Sequence, residues 1–181
     1  MPVAVPPFAG VYELDRAHSS VQFAVKHIVS TFRASFDDVE GSLVADGAAT
    51  TLTASARVES VSIGDPPEFR EHVVHGEDFF QADAHPALVF RSTDVELHDD
   101  GSALVTGELV IRGISRTITA VGSYRAPTRD PFGSLRAALE LRATIDRRDW
   151  GLNWQLPLPD GGDAVGWDVE LTAELELVEA A

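Results

Sequence analysis

The chain contains no cysteine among its 181 residues. This absence excludes disulfide bonds, thiolate catalysis and cysteine-based zinc sites, and it fits either a reducing or an oxidising compartment. Basic residues are also scarce, since 14 Lys and Arg stand against 29 Asp and Glu, for a formal net charge of −15. Long-range repulsion then disfavours unassisted contact with nucleic acid or anionic lipid headgroups. We expect neutral or neutralised partners, no nucleic acid and no stable membrane insertion.

Several common functional motifs are missing as well. The sequence offers neither the Gly-x-Ser-x-Gly elbow of α/β-hydrolases nor the Gly-x-x-x-x-Gly-Lys loop that binds nucleotides. Met1–Gly10 carries no Lys or Arg and no long apolar run. It therefore lacks the features of a secretory signal or a membrane anchor, and we expect a cytoplasmic protein. With 44% apolar residues and no linker or repeat, residues 1–181 predict one globular domain.

What the sequence does contain is hydrophobic alternation with period two, which is typical of half-buried strands. It runs through seven segments, namely 19–27, 52–58, 87–98, 103–111, 117–124, 135–145 and 169–177. Asp99-Asp100-Gly101 and Arg112-Gly113 mark turns between them. Because no helix-length run separates consecutive strands in the central part, parallel crossovers are excluded and an antiparallel barrel or sandwich remains. We read 87–93 and 94–98 as separate strands.

One segment departs from this pattern. Asp65-Pro66-Pro67-Glu68 supplies an N-cap residue, a proline at the first helical position and an acid three residues on. Phe69 and Val73 follow at i,i+4 spacing, and Gly76 gives a stop signal. The apolar residues are few, so we predict a short lid helix of about two turns leaning on the barrel.

The segment 144–152, Thr-Ile-Asp-Arg-Arg-Asp-Trp-Gly-Leu, places acid–base pairs and a Trp-Gly directly at the end of the longest alternating strand. Such a cluster favours a polar site at a barrel mouth. A competing class is a metal-dependent hydrolase, because His72-x-x-His75 would put both rings on one side of a helix near Glu71, Glu77 and Asp78. The third class is a cavity-less β-sandwich that binds partners through its surface.

Seven short motifs, in order, resemble those of the YceI-like family of lipocalin-like polyisoprenoid-binding proteins. They are Tyr12-x-Leu14-Asp15-x-x-His18-Ser19, Phe23-x-Val25-Lys26-His27, Asp78-Phe79-Phe80, His85-Pro86-x-x-x-Phe90-x-Ser92-Thr93, Gly107-x-Leu109-x-Ile111-x-Gly113, Asp130-Pro131-Phe132-Gly133 and Asp146-Arg147-x-Asp149-Trp150-Gly151-Leu152. The chain differs from the family pattern in having Arg70-Glu71 and Val73-Val74 where Arg-Asp and His-Leu are expected. The usual export signal is missing too, which argues against a periplasmic role.

The resemblance implies an all-β fold, an eight-stranded antiparallel lipocalin-like barrel with a short helical lid. It also implies a homodimer and a bound polyisoprenoid or other long-chain amphiphile, such as a polyprenyl quinone or polyprenyl phosphate, with no catalytic residue, metal or further cofactor. Combined with the alternation, it predicts an apolar ligand lining of Val21, Phe23, Val25, Leu88, Phe90, Leu139, Leu141 and Leu171. The predicted polar mouth comprises His18, Ser19, His27, Arg136, Asp146, Arg147, Asp149 and Trp150.

A plainer interpretation stays open for both sets. Alternating apolar faces more often fill a core with side chains than line a cavity. An Asp-Arg pair at a strand end is more often a local salt bridge than a ligand clamp, and Trp150-Gly151 fits an aromatic seal followed by a backbone turn.

Overall fold

The structure, a computed structural model, describes residues 6–181. The first five residues of the Met1–Gly10 segment, in which the sequence predicts no export signal, lie outside the described residues. Within these residues, ten strands and one α-helix follow one another: β1 Gly10–Leu14, β2 Ser20–His27, β3 Ser30–Phe36, β4 Val39–Ala45, β5 Thr50–Arg57, α1 Pro67–His75, β6 Ala87–Leu97, β7 Ser102–Ile111, β8 Ile114–Arg129, β9 Leu135–Asp146 and β10 Val165–Glu179. Short 3₁₀ turns occur at Val58–Ser60 and Arg147–Trp150.

All strand pairings are antiparallel, and the sheet closes because β1 pairs with both β4 and β10. One edge of β10 pairs with β9 over most of its length. Its other edge pairs with β1 near Leu177 and with β2 between Val165 and Glu174, so β1 and β2 lie end to end. β3 pairs with β2, and β4 pairs with β1. Because β1 and β2 lie end to end, β3 and β4 also lie end to end. The result is the eight-stranded antiparallel barrel that the family resemblance implies, and the outer edge of β3 meets Val61 through an isolated bridge at Phe36 rather than a further strand.

The two ends of the barrel differ in packing. At the packed end, Phe8, Tyr12, Leu43 and Leu177 are each no more than 2% exposed, and the Phe8 ring meets Tyr12 edge to face at 5.4 Å. The open end contains the start of β10, the turn between β2 and β3, the 3₁₀ turn Arg147–Trp150 and α1. The core therefore fills one half of the barrel and leaves the other half to a cavity.

Several sequence predictions change in detail. The segments 87–93 and 94–98 form one strand, β6, whose register shifts between Ser92 and Asp94, because a β-bulge bends a strand without ending it. β8 extends well beyond the predicted 117–124. The alternation in 10–14, 30–36 and 39–45 is short or interrupted, and these strands were not predicted.

The lid helix is present and ends before Gly76 as expected, but the predicted N-cap is wrong. The helix starts at Pro67, the cap position is Pro66, and no side chain caps it. The helix starts one residue later than predicted, at the second of two consecutive prolines. Proline suits this first helical position because it has no N–H that would lack a partner there. Val73 and Val74 are 4% and 0% exposed and fix α1 on the barrel. No helix among residues 6–181 has the length and apolarity needed to cross a bilayer.

Candidate functional site: an apolar cavity at the open end

A cavity of about 310 Å³ lies at the open end of the barrel. This volume is at the lower end of the range of small-molecule sites, roughly 300–1,000 Å³. Its walls come from β2 and β3 on one side, from α1 and the segment after it on another, and from β9, β10 and the loop after the 3₁₀ turn on the third. The lining side chains are Phe23, Val25, His27, Phe32, Phe36, Ile63, Phe69, Val73, Phe79, Phe80, Leu88, Ile111, Ile145, Arg147, Leu152, Trp154, Val165, Val169 and Leu171.

A second, inner cavity of about 120 Å³ lies deeper in the barrel. Val21, Ala54, Phe90, Leu109 and Leu141 are among its lining residues. Phe36, Leu88 and Leu171 line both cavities, so the two cavities adjoin at these three side chains. We call the two adjoining cavities together the apolar channel, and they extend from the open end towards the packed end. The cavity-less sandwich is therefore not the architecture of this chain.

Seven of the eight predicted lining residues face this channel. Phe23 and Val25 lie on the outer cavity, Val21, Phe90 and Leu141 on the inner one, and Leu88 and Leu171 on both. Leu139 does not. It is 1% exposed and packs in the core of the barrel. Its position on the inward face of β9 is as predicted, but the strand carries it past the cavity into the packed half.

The predicted polar mouth does not form one site. His18, Ser19 and Arg136 lie at the packed end, whereas His27, Asp146 and Arg147 lie at the open end. Arg136 and Asp146 are ten positions apart on β9, which at a rise of about 3.3 Å per residue separates them by roughly 33 Å. Because of this separation, a single head group cannot contact both sets.

At the packed end, Arg136 is the centre of an ion-pair network. Its guanidinium donates to Asp130 at 2.8 Å, to Asp15 at 2.8 Å and to Glu176 at 2.9 Å. The Arg136 hydrogen bond, followed by that from His18, lowers the pKa of Asp15 to about 2. Ser19 accepts from the backbone N–H of Glu176. These three predicted mouth residues and their partners tie β1, β9 and β10 together away from the cavity.

The same network bears on metal binding. Asp15, His18 and Glu176 each offer an oxygen or nitrogen within 4.8 Å of the others, and this is the group of metal-ligand type found among residues 6–181. Arg136 already occupies the carboxylate oxygens of Asp15 and Glu176. A cation there would have to displace a guanidinium, so the group acts as a salt-bridge cluster.

The histidine pair on α1 also differs from expectation. The His72 ring packs edge to face against Phe79 at 5.0 Å and Trp154 at 6.3 Å. The ring of His75 instead faces carboxylates: its Nδ1 lies 3.1 Å from Asp83, and its Nε2 lies 3.8 Å from Glu59 and 3.9 Å from Glu71. The two rings do not share a ligand position, and Glu77 and Asp78 are not the neighbours of His75. One ring belongs to the aromatic wall of the lid and the other to a surface charge cluster.

At the open end, Arg147 is the charged side chain that reaches the outer cavity. Its side chain is buried, and its guanidinium donates to the backbone carbonyls of Gly166 (2.8 Å), Leu152 and Val165 (3.4 Å). The same group lies 4.2 Å from the centre of the Trp167 ring. Burial lowers the pKa of Arg147, yet a guanidinium keeps its charge in proteins. A cation bonded to carbonyls rather than to a carboxylate thus borders an apolar cavity.

The neighbouring polar residues have structural roles. Asp146 pairs with Arg148 at 2.6 Å and not with Arg147, and its side chain caps the 3₁₀ turn. Trp150 is 2% exposed and donates its indole N–H to the carbonyl of Leu109 at 3.0 Å. This buried position fits the interpretation of Trp150 as an aromatic seal rather than a ligand contact. Asp149 is exposed. His27 is exposed at the rim of the outer cavity, so it is not a core histidine.

Sequence reasoning missed much of the aromatic wall. Phe32, Phe36, Phe79, Phe80 and Trp154 all line the outer cavity. Phe79 and Trp154 stack at 5.7 Å, and Phe36 meets Phe80 edge to face at 5.6 Å. The signal for two of them was the Asp78-Phe79-Phe80 motif, which lies in no strand and therefore escaped an analysis based on alternation.

Comparison with known proteins agrees with this geometry. A family model described as the YceI-like domain matches residues 12–177. The protein SAS2572 of Staphylococcus aureus strain MSSA476, a UPF0312 protein, is 30% identical over 168 residues, which cover 91% of this chain and 95% of the relative.

Solved structures share the fold at lower identity. BcnA of Burkholderia cenocepacia has a TM-score of 0.73 and 20% identity, covering 90% of this chain and 98% of its own. The YCEI protein of Campylobacter jejuni has a TM-score of 0.69 and 22% identity, covering 84% and 88%. A polyisoprenoid binding domain from Saccharophagus degradans, implicated in plant cell wall breakdown, has a TM-score of 0.64 and 15% identity, covering 93% and 98%. These likenesses identify the barrel.

Proposed function

Because this chain belongs to the YceI-like family, we propose that its barrel binds a polyisoprenoid or another long-chain amphiphilic lipid and carries or stores it without chemical change. The observation that carries the proposal is the apolar channel, whose outer cavity of about 310 Å³ adjoins an inner cavity of about 120 Å³ at Leu171. A structural relative is described as a polyisoprenoid binding domain, which supports the same ligand class.

The walls explain how such a ligand would be held. Burial of a prenyl tail gains about 0.8 kcal/mol for each methylene-sized group removed from water. A bilayer offers a similar apolar environment, so transfer from membrane to barrel is close to neutral and binding is reversible. Selectivity then depends on cavity shape and on polar groups near the opening, of which Arg147 and His27 are the candidates.

Arg147 favours a head group with hydrogen-bond acceptors. Three of its N–H groups bond to backbone carbonyls, and a guanidinium has five. The remaining donors and the positive charge suit the oxygens of a polyprenyl phosphate or of a prenyl quinone.

Homodimer formation and a cytoplasmic location are part of the proposal. Size-exclusion chromatography with light scattering tests the dimer, and subcellular fractionation tests the location.

The decisive experiment is native mass spectrometry of freshly purified protein, followed by solvent extraction and identification of bound molecules. We expect a prenyl lipid or other long-chain amphiphile, retained by the wild type. Leu171→Trp should lose it, because the larger ring takes up space where the two cavities adjoin. Thr172→Trp is the matched control, since the next residue of a strand points to the opposite face. A wild-type protein that stays free of lipid after incubation with farnesol and geranylgeraniol would contradict the proposal.

A further inference from the structure

We propose that the rim of the outer cavity, centred on the turn Ile28-Val29, docks on the surface of a lipid bilayer. The inference rests on the proposed function, since it states where the barrel takes up and releases an apolar ligand. It starts from exposure: Val29 is 95% exposed, Ile28 56% and Leu156 53%. Large apolar side chains this exposed usually mark contact sites when they lie together.

These side chains do lie together. The N–H of Ile28 donates to the carbonyl of Ala164, and the N–H of Ala164 donates to the carbonyl of Leu156, both within 2.9 Å. The backbone of the β2–β3 turn is thus bonded through one residue to the loop that carries Leu156. Phe69, 36% exposed on α1, lies across the opening and contacts Phe32 of β3.

The rim is continuous with the cavity. His27, which directly precedes the turn, lines the outer cavity together with Phe69, Trp154 and Val165. Val165 is also the β10 residue paired with His27. A ligand that enters or leaves at this end passes between the β2–β3 turn and α1, so the exposed apolar side chains border the route of an apolar molecule.

The residue types in the β2–β3 turn are unusual for a two-residue turn. A two-residue connection between strands favours Gly, Asn or Asp wherever φ is positive. Here Ile28 has φ of +46°, in the left-handed region that β-branched residues avoid. The two-residue turn between β7 and β8 also has positive φ, and there the chain places a glycine in the sequence Arg112-Gly113. An isoleucine followed by a fully exposed valine costs stability and solubility, which points to a role outside the folded core.

The hairpin that carries the turn is basic, whereas the neighbouring Leu156 loop carries Asp160 and Asp163. The hairpin of β2 and β3 contains Lys26 and Arg33 and no acidic residue, although the chain as a whole has a net charge of −15. Lys26 is the single lysine of the sequence and is exposed two residues from Ile28. Apolar residues at a tip, with Lys26 just behind them and Trp154 in the wall of the adjoining cavity, match the order of groups across a membrane interface.

The alternative occupant, a second copy of the chain, fits less well. A stable dimer buries about 800 Å² on each partner through roughly 20 residues. The rim presents a projecting turn and two flanking side chains, which is too small an area for that. Because the remaining surface is strongly acidic, we commit to a zwitterionic bilayer rather than an anionic one.

The test is flotation of the protein with phosphatidylcholine vesicles. We expect Val29→Asp to lower the fraction bound roughly tenfold, because it places a charge where an apolar side chain would enter the interface. The matched control is Phe132→Asp. Phe132 is 92% exposed in the turn between β8 and β9, at the packed end, and its loss should leave binding within about twofold of the wild type. Absence of wild-type binding, or equal loss in both variants, would overturn the inference.

A second variant separates docking from folding. Asn tolerates the left-handed region, so Ile28→Asn should keep or raise the melting temperature while it weakens vesicle binding. A less stable Ile28→Asn protein with unchanged vesicle binding would show that Ile28 serves the fold. Light scattering adds a further outcome, since a dimer that Val29→Asp converts to a monomer would make the rim a subunit interface and refute docking.

Binding of farnesol in solution distinguishes this inference from the proposed function. Val29→Asp should bind farnesol as the wild type does, because Val29 does not line the cavity. If the wild type binds farnesol but does not float with vesicles, docking is wrong and the proposed function stands. If it floats but does not bind farnesol, the proposed function fails instead.

Discussion

The Nε–H of Arg147 donates to the carbonyl oxygen of Gly166 at 2.8 Å and so joins the 3₁₀ turn after β9 to the beginning of β10. The same guanidinium reaches the carbonyl of Leu152 on the far side of the turn. One side chain therefore holds the loop that closes this part of the open end and also borders the cavity. Any effect of Arg147 on ligand binding has to be separated from its effect on the fold.

We expect Arg147→Ala to lower the free energy of unfolding by about 2–4 kcal/mol, because several charge-assisted hydrogen bonds to buried carbonyls are lost together. Thermal and urea denaturation of ligand-free protein measure this change. Arg147→Lys keeps the charge but cannot donate to three carbonyls in a fixed plane, so it should lose part of the stability.

Head-group preference is then read from Arg147→Lys, compared with the wild type for farnesyl phosphate and farnesol. A smaller gap between these two ligands would support contact with the head group. An unchanged gap in a folded variant would leave Arg147 a structural residue.

The inner cavity predicts a limit on tail length. Phe90 lines this cavity, and Gly107 lies directly behind its ring, where a Cβ would come within 2.6 Å of the Phe90 Cζ. The extra volume of Phe90→Trp must therefore project into the cavity. We expect weaker binding of geranylgeraniol and nearly unchanged binding of geraniol, at a stability cost of about 1–3 kcal/mol for overpacking. Competition binding across a series of prenyl alcohols measures it, and equal losses for short and long tails would contradict this assignment.

The antiparallel strands were largely predictable because period-two alternation reports which face of a strand is buried, and long strands such as β7 and β9 carry it over many residues. Alternation left barrel and sandwich open, and the family resemblance favoured the barrel. Site residues were harder to place. Arg136 lies at the beginning of β9 and Arg147 directly follows its end. The sequence distance between them could have shown that they lie at opposite ends of the barrel. Trp154 and Phe69 reach the cavity from a loop and a helix, where no alternation exists. Their positions depend on tertiary packing.

Trp150 gives a test of the aromatic seal. Its indole N–H is bonded to the Leu109 carbonyl in a buried position, and phenylalanine can neither make that bond nor fill the same volume. Trp150→Phe should lower the free energy of unfolding by about 1–3 kcal/mol. The control is Trp167→Phe, whose indole N–H bonds to Asp163 at an exposed position, and we expect a loss of less than about 1 kcal/mol there. Urea denaturation followed by circular dichroism compares the two, and similar losses would argue against a seal at Trp150.

The Arg136 network predicts a specific pH dependence. Its hydrogen bond to Asp15 lowers the pKa of that carboxyl from 3.8 to about 2, so the folded protein holds the ionised form more tightly than the unfolded chain does. The resulting stabilisation is fully present above pH 3.8 and is lost as the pH falls to about 2. We expect Asp15→Asn to be less stable than the wild type by about 1 kcal/mol at neutral pH, a value reduced from the full linkage energy because solvent screens the pair. The difference should shrink as the pH falls through about 2 and vanish below it, where Asp15 is protonated in the folded protein as well. Urea denaturation at a series of pH values measures it, and a difference that stays constant with pH would show that Asp15 stabilises the barrel without its charge.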